Sequence, residues 1–504
     1  MVHVRAAAGG RGLYPPAAGG RQDRRRVIVH GLAAGFQSVQ AAGTQAQTGG
    51  GAAAVKILPI AVLAALVWST AVVQAASKKP GKKIAPKKSA PRRTAASSTR
   101  GSSTQKEARE GVEQKIAKGA SIPIANAPGL VPFFEQLYRQ QRGESAGPLR
   151  VLHYGDSHVA ADEWTAGIRG HFKNLFGDGG SGYSLAGRPW KSYRRLDVRS
   201  GSTRGWHSDG LVGRAGDGAY GLGGVSMSSK GPRESVYIVA EAPQFELFYL
   251  RQPAGGTVQI YDNGVPVERI PTAGEMGPGY YRYQADEGSH KLEARTLDRA
   301  PVRLFGWVAE RTQGITYEAL GINGADVPLL LKWNEEVLRS NLQHRNPALI
   351  VLSYGTNEAG QKGWTLDKYR DVFARLIRRF RQAAPSATIL VIGPPDRAVR
   401  SRGKEWTPLE NLDLIVEAQR QAAAAEGCAF WDQQAKMGGK GSMREWILAG
   451  MAQNDRVHLT LPGYRIIGDA VFRDLMNEYR AFVKTREAVA QTGPLYQAAV
   501  AASR

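Results

Sequence analysis

Ser157, in Val151-Leu-His-Tyr-Gly-Asp-Ser-His158, directly follows an apolar run. A hydroxyl there can act as a nucleophile, and it serves equally well as a cap for a following helix. Asn357, in Val351-Leu-Ser-Tyr-Gly-Thr-Asn-Glu358, stands after a second such run. Its amide can donate to a developing oxyanion, although a turn is the commoner use of asparagine after a strand. Gly324, in Gly321-Ile-Asn-Gly-Ala-Asp326, lets a backbone N–H approach a ligand closely; alone it means only a turn. In Asn454-Asp-Arg-Val-His-Leu-Thr-Leu-Pro-Gly463, Asp455 precedes His458 by three residues. One turn can bring that carboxylate to the imidazole, fixing its tautomer while His458 takes a proton from serine. Most isolated Asp-x-x-His pairs are surface turns, so each block is ambiguous alone. The chemistry they share is acyl transfer by a Ser-His-Asp triad facing an oxyanion hole.

Such a site needs elements that deliver distant residues to one place. The short apolar runs Leu149 to Tyr154, Ala348 to Tyr354, Ala387 to Ile392 and Cys428 to Trp431 suit strands buried on both faces of a parallel sheet. Between them, Trp164, Ile168, Phe172 and Leu175 recur at helical spacing, as do Tyr369, Phe373, Ile377 and Phe380. This alternation predicts an α/β sandwich with helices on both faces, which places Ser157 and Asn357 at the carboxyl edge where ligands of open sheets bind. From about 183 to 312 the alternation stops. Val236 to Val239, Phe245 to Leu250, Thr257 to Tyr261 and Lys291 to Arg295 read as strands, with a hairpin at Asp262-Asn-Gly264. An all-β, jelly-roll-like insertion is expected. It opens on residues 201–231, which contain ten glycines, including Gly216-Asp-Gly-Ala-Tyr-Gly221. That stretch matches G-x-G-x-x-G by letter but lacks the strand before and helix after that a dinucleotide site needs, so it is read as loop.

The 504 residues carry a formal charge of +23, unevenly distributed. Residues 1–76 hold +6 and residues 77–118 hold +10, leaving a mildly basic +7 for the remainder. The charge therefore does not argue for nucleic-acid binding by the folded part. Val55-Lys56, the 17-residue apolar run Ile57 to Val73 and Gln74-Ala-Ala-Ser77 read as a secretory signal, and the true start is expected near Val55. The run is shorter than the ~20 apolar residues that span a bilayer comfortably. The Lys/Pro/Arg-rich stretch after it reads as a flexible tether, with adhesion to an anionic envelope surface as the sharper alternative. The single cysteine, Cys428, excludes an intrachain disulfide and reads as structural. No P-loop, H-E-x-x-H or C-x-x-C pattern occurs, and no cofactor or metal is implied.

Taken together, the four blocks resemble the SGNH (GDSL-type) hydrolase family, in which a Gly-Asp-Ser block, a glycine, a Gly-x-Asn block and an Asp-x-x-His block occur in that order. The resemblance covers residues 128–182 and 312–485 and implies a three-layer α/β sandwich with a central parallel sheet. Carried over position by position, Ser157 is the nucleophile. Its own N–H, the Gly324 N–H and the Asn357 amide form the oxyanion hole, and His458 and Asp455 are the base and its orienting acid. His153 and His158 are read as structural, and Asp156 and Glu358 as residues that fix their turns.

The chain departs from the compact pattern in placing Gly324 167 residues after Ser157. A β-rich insertion there, with Gly-Asp-Ser-His and Val-His-Leu-Thr-Leu-Pro-Gly-Tyr, resembles the Gram-negative peptidoglycan O-acetylesterases, whose insertion resembles a carbohydrate-binding module. The expected organisation is a low-complexity start (1–54), a signal (55–76), a basic disordered linker (77–118), a hydrolase domain in two parts (119–182 and 313–485) around the insertion (183–312), and a tail (486–504). With the signal, the resemblance implies an exported esterase, periplasmic or else membrane-tethered or secreted, that removes O-acetyl groups from an O-acetylated cell-wall glycan. A glycan O-acetyltransferase using the same triad and a non-catalytic glycan-binding envelope protein remain as alternatives.

Overall fold

The central sheet is built from the runs that alternate least with polar residues. In the computed structural model, which describes residues 96–400 and 406–502, five parallel strands run in the order Ile315–Gly321, Leu149–Gly155, Leu349–Ser353, Thr388–Ile392, Ala429–Trp431. Val151 pairs with Leu349 on one side and Tyr317 on the other. Because side chains alternate along a strand, both faces of the sheet are supplied with apolar groups. Leu152 and Tyr154 enter one core with Phe373, Ile377 and Phe380, while Val151 enters the other with Phe133, Ile168 and Phe172. The result is the expected three-layer α/β sandwich.

Four of the five strands coincide with the apolar runs in the sequence. The fifth, Ile315–Gly321, was not expected, because Glu318 interrupts its apolar pattern. That carboxylate is fully buried and pairs with the buried guanidinium of Arg345. The helix Glu163–Phe176 buries Trp164, Ile168 and Phe172 as expected, but its fourth core residue is Phe176, and Leu175 is exposed.

The insertion is a sandwich of two antiparallel sheets. One runs Gly277–Gln284, Gln244–Arg251, Val302–Glu310, Ser226–Ser229, His207–Asp209, with Gly180–Leu185 also on Val302–Glu310. The other runs Arg199–Ser202, Ser235–Glu241, Ser289–Thr296, Thr257–Asp262, Val265–Pro271. The hairpin at Asn263 and Gly264 has both residues at positive φ, 49° and 87°, as a two-residue type I′ turn requires.

The boundary expected at 183 is corrected, since it falls inside the strand Gly180–Leu185. The reason lies in the strand Gln244–Arg251, which is buried on both faces. Phe245 and Leu247 fill the sandwich core, whereas Phe248 and Leu250 pack with Tyr183, Phe305 and Leu320 against the parallel sheet's layer. One sheet of the insertion is therefore shared core and not a detachable surface.

Two end assignments also change. The signal, the low-complexity start and residues 77–95 lie outside the described residues. Residues 96–118, expected as disordered linker, belong to the helix Ala96–Gly119. Val112 and Ile116, one turn apart, are buried against the helix Met443–Leu448, and Lys115 pairs with Glu445. Lys436 then secures the helix end by donating to the carbonyls of Gly119 and Ile122 at 2.8 and 2.6 Å. Two well-spaced apolar residues suffice when tertiary packing receives them. At the other end, the expected tail from 486 continues the helix Leu461–Ala502, and Arg486 is held by Glu135 at 2.7 Å.

Candidate active site

Ser157 sits where the strand Leu149–Gly155 stops. Asp156 ends it by accepting the His158 N–H at 2.9 Å, and Ser157 opens a single helical turn, Ser157–Ala160. The longer helix expected from the spacing of Trp164, Ile168 and Phe172 begins at Glu163. One turn carries little macrodipole, so local N–H groups matter more here than a helix field. Gly321 allows this turn to lie against the neighbouring strand end, because a Cβ there would collide with the Ala160 backbone.

The Ser157 Oγ lies 2.8 Å from His458 Nε2, across 301 residues of sequence. The other imidazole nitrogen, Nδ1, lies 2.7 Å from Asp455 Oδ2. The remaining oxygen, Asp455 Oδ1, accepts the N–H groups of Val457 and His458, both at 3.0 Å, so the carboxylate both makes the turn and faces the ring. Burial works to raise the Asp455 carboxyl, but the hydrogen bonds from His458 and from the two backbone N–H groups outweigh it and hold it below its ordinary range. Ser157 and His458 are half-buried and Asp455 is exposed, so the three groups stand at an open edge.

Gly324 and Asn357 lie on the two loops that follow the flanking strands. Gly324 has φ +75°, is exposed, and follows a loop start in which the Ile322 N–H donates to the Gly155 carbonyl at 3.0 Å. Asn357 Nδ2 donates to the Ala325 carbonyl at 2.8 Å. This uses one of its two amide hydrogens and fixes the plane of the amide. Glu358, fully buried, accepts hydrogen bonds from both loops.

The neighbouring histidines are structural in their surroundings. His153 lies between Ser353 Oγ at 2.7 Å and Tyr317 Oη at 2.8 Å, and burial pushes its pKa down to about 3. His158 Nδ1 lies 2.9 Å from Tyr464 Oη, and burial brings its pKa down to about 4. Both rings are therefore neutral at pH 7, His158 with its ring centre 5.1 Å from that of His458.

Three neighbours of the site were not singled out in the sequence. Arg397 donates to the Thr356 carbonyl at 2.7 Å, and Arg456 stacks on Trp406 at 3.7 Å beside Asp455. Val212 comes from the insertion and is exposed beside Gly324, its methyl 3.7 Å from where a Cβ on that glycine would stand. No local signal marks these residues, since each acts through a neighbour distant in sequence. The glycine-rich stretch 216–221 is loop, and Gly218 accepts the Asn334 N–H at 2.9 Å. Among the described residues, no group of three or more His, Cys, Asp or Glu could hold a metal ion, and no helix is long and apolar enough to cross a membrane.

Residues 283–466 match the model of the GDSL-like lipase/acylhydrolase family. The match contains Gly324, Asn357, Asp455 and His458 and begins after Ser157, which the fold returns to them. Among solved structures, a peptidoglycan O-acetylesterase is similar at 28% identity over 69% of this chain and 96% of its own, with a TM-score of 0.60. A family two carbohydrate esterase from Clostridium thermocellum, in complex with cellohexaose, aligns at 11% identity over 50% of this chain and 94% of its own, with a TM-score of 0.26. No curated protein sequence matches the chain. The chain is thus similar to GDSL-like acylhydrolases over residues 283–466 of this α/β frame, and the protein is a carboxylic ester hydrolase.

Proposed function

We propose that the protein removes O-acetyl groups from a cell-envelope glycan, with peptidoglycan as the substrate, after export to the periplasm. The observation that carries the mechanism is the unbroken chain from Ser157 Oγ to His458 Nε2 at 2.8 Å and from His458 Nδ1 to Asp455 Oδ2 at 2.7 Å. Ser157 attacks the acetyl carbonyl as His458 takes its proton, and Asp455 stabilises the resulting imidazolium. The Ser157 and Gly324 N–H groups and the second hydrogen of the Asn357 amide hold the oxyanion. Collapse expels the sugar hydroxyl, which takes the proton back from His458. Water, activated by the same imidazole, then releases acetate and free Ser157. The likeness to a peptidoglycan O-acetylesterase supports the choice of substrate. In the same reading, the basic stretch 77–95 ahead of the first helix adheres to an anionic envelope surface, and added salt weakens that adhesion.

The test is acetate release from O-acetylated peptidoglycan by purified protein and by Ser157→Ala. The variant should keep the fold and lose at least about 10³-fold in turnover. Undiminished release by the variant would overturn the assignment.

A further inference from the structure

Glu358 is a fully buried carboxylate in the gap between three elements: the loop that carries Gly324, the turn that carries Asn357, and the helix Leu366–Ala383. Its Oε1 accepts the Val327 N–H at 2.9 Å, three residues beyond Gly324, and the Tyr369 O–H at 3.0 Å. Its Oε2 accepts the Gly355 N–H at 3.1 Å, two residues before Asn357. Behind Tyr369, Gln419 donates to Tyr369 Oη at 3.3 Å and to the Tyr354 carbonyl at 2.8 Å. The charged neighbour facing this group is Asp326, itself occupied by the Leu329 N–H and the Gln361 amide. Among the described residues, no cation forms an ion pair with Glu358.

A buried carboxylate without a cation is costly unless its hydrogen bonds need it. Here the partners are three donors, and the ionised carboxylate, an acceptor-only group present above its raised pKa of about 7, satisfies them all. Asn357 adds a second tie between the same two loops through the Ala325 carbonyl.

We infer that Glu358 is a positioning residue of the oxyanion hole, its single carboxylate setting the spacing between the Gly324 N–H and the Asn357 amide; this rests on the esterase reading above. It fixes its own turn through the Gly355 N–H, as expected, and goes beyond that by also reaching the Val327 N–H of the second loop. Preorganised donors stabilise a transition state only when their spacing is held before reaction, so a loosened bridge lowers kcat more than it raises KM.

The experiment compares Glu358→Gln, Glu358→Asp and Tyr369→Phe with the unaltered protein on a small soluble acetyl ester. Glutamine turns an N–H toward at least one of the three donors, and aspartate is too short to reach both loops. Both should lower kcat about 10- to 100-fold, with KM within about twofold and an unchanged circular dichroism spectrum. Tyr369→Phe disturbs the same carboxylate but leaves both loop N–H bonds, and should keep kcat within about threefold. Wild-type kcat in either Glu358 variant, or an equal loss in Tyr369→Phe, overturns the inference; Glu358→Asp decides alone should Glu358→Gln not fold. Retained activity in Ser157→Ala would instead sink the esterase reading, whatever the Glu358 variants do.

Discussion

In the parallel sheet the strands point the same way, so the segments after Leu149–Gly155, Ile315–Gly321 and Leu349–Ser353 emerge at one edge and carry Ser157, Gly324 and Asn357 there. In the β-sandwich neighbouring strands run in opposite directions, so their loops are divided between two ends. From the sandwich, the stretch after His207–Asp209 reaches the site, with Val212 beside Gly324. The difference teaches where a fold concentrates chemistry. Parallel strands gather polar groups from distant parts of a chain, while the antiparallel region contributes shared core and a rim.

That contrast can be broken most directly at Asp455. If acyl transfer belongs to the parallel-sheet edge, Asp455→Asn should lower kcat on a soluble acetyl ester by on the order of 10²- to 10⁴-fold while the protein stays folded. Near-normal turnover would move the chemistry elsewhere. Phe305→Ala tests the other side, because this buried sandwich residue packs in the layer shared with Leu320 and Tyr354. It should cost about 3–5 kcal/mol in urea unfolding while leaving the specific activity of the folded protein close to normal. A cost below about 1 kcal/mol would mean that the sandwich is an appendage after all.

Acid should act through the parallel-sheet part. His153 and His158 have folded pKa values of about 3 and about 4, below their ordinary 6.5, so below pH 6.5 the unfolded chain takes up protons that the native protein refuses. Glu358, pushed up to about 7 by burial, works the other way between its ordinary 4.5 and 7, where the native protein holds the extra proton. Two histidines outweigh one carboxyl, so stability falls as the pH drops from 6.5 to 4.5, and falls more steeply from 4.5 to 4. Urea midpoints measured at pH 7, 5.5 and 4 check this, and a flat profile would contradict it. The smallest effect is expected at the rim. Val212→Ala should change the ratio of kcat/KM for acetyl over longer acyl esters by about three- to tenfold without altering stability; an unchanged ratio would leave the sandwich no part in selecting the ester.

Features that rest on neighbours in sequence were legible before the fold was known. Four of the five parallel strands, the hairpin at Asn263 and Gly264, and the Asp455 turn that faces His458 depend on local periodicity or hydrogen bonds a few residues long. The resemblance to the GDSL-type blocks singled out Ser157, Gly324, Asn357, Asp455 and His458 by their order. Tertiary structure alone decided the 2.8 Å approach of Ser157 to His458, the bridge from Glu358 to Val327 and Gly355, and the place of Val212. It also decided that Ile315–Gly321 is a strand despite Glu318, and that Ala96–Gly119 is a helix despite its charge. In each case a polar or sparsely apolar segment takes its structure from a distant partner, Arg345 for Glu318 and the helix Met443–Leu448 for Val112 and Ile116. A buried charge or a lone apolar pair is stable only once that partner is in place, and no local pattern can announce it.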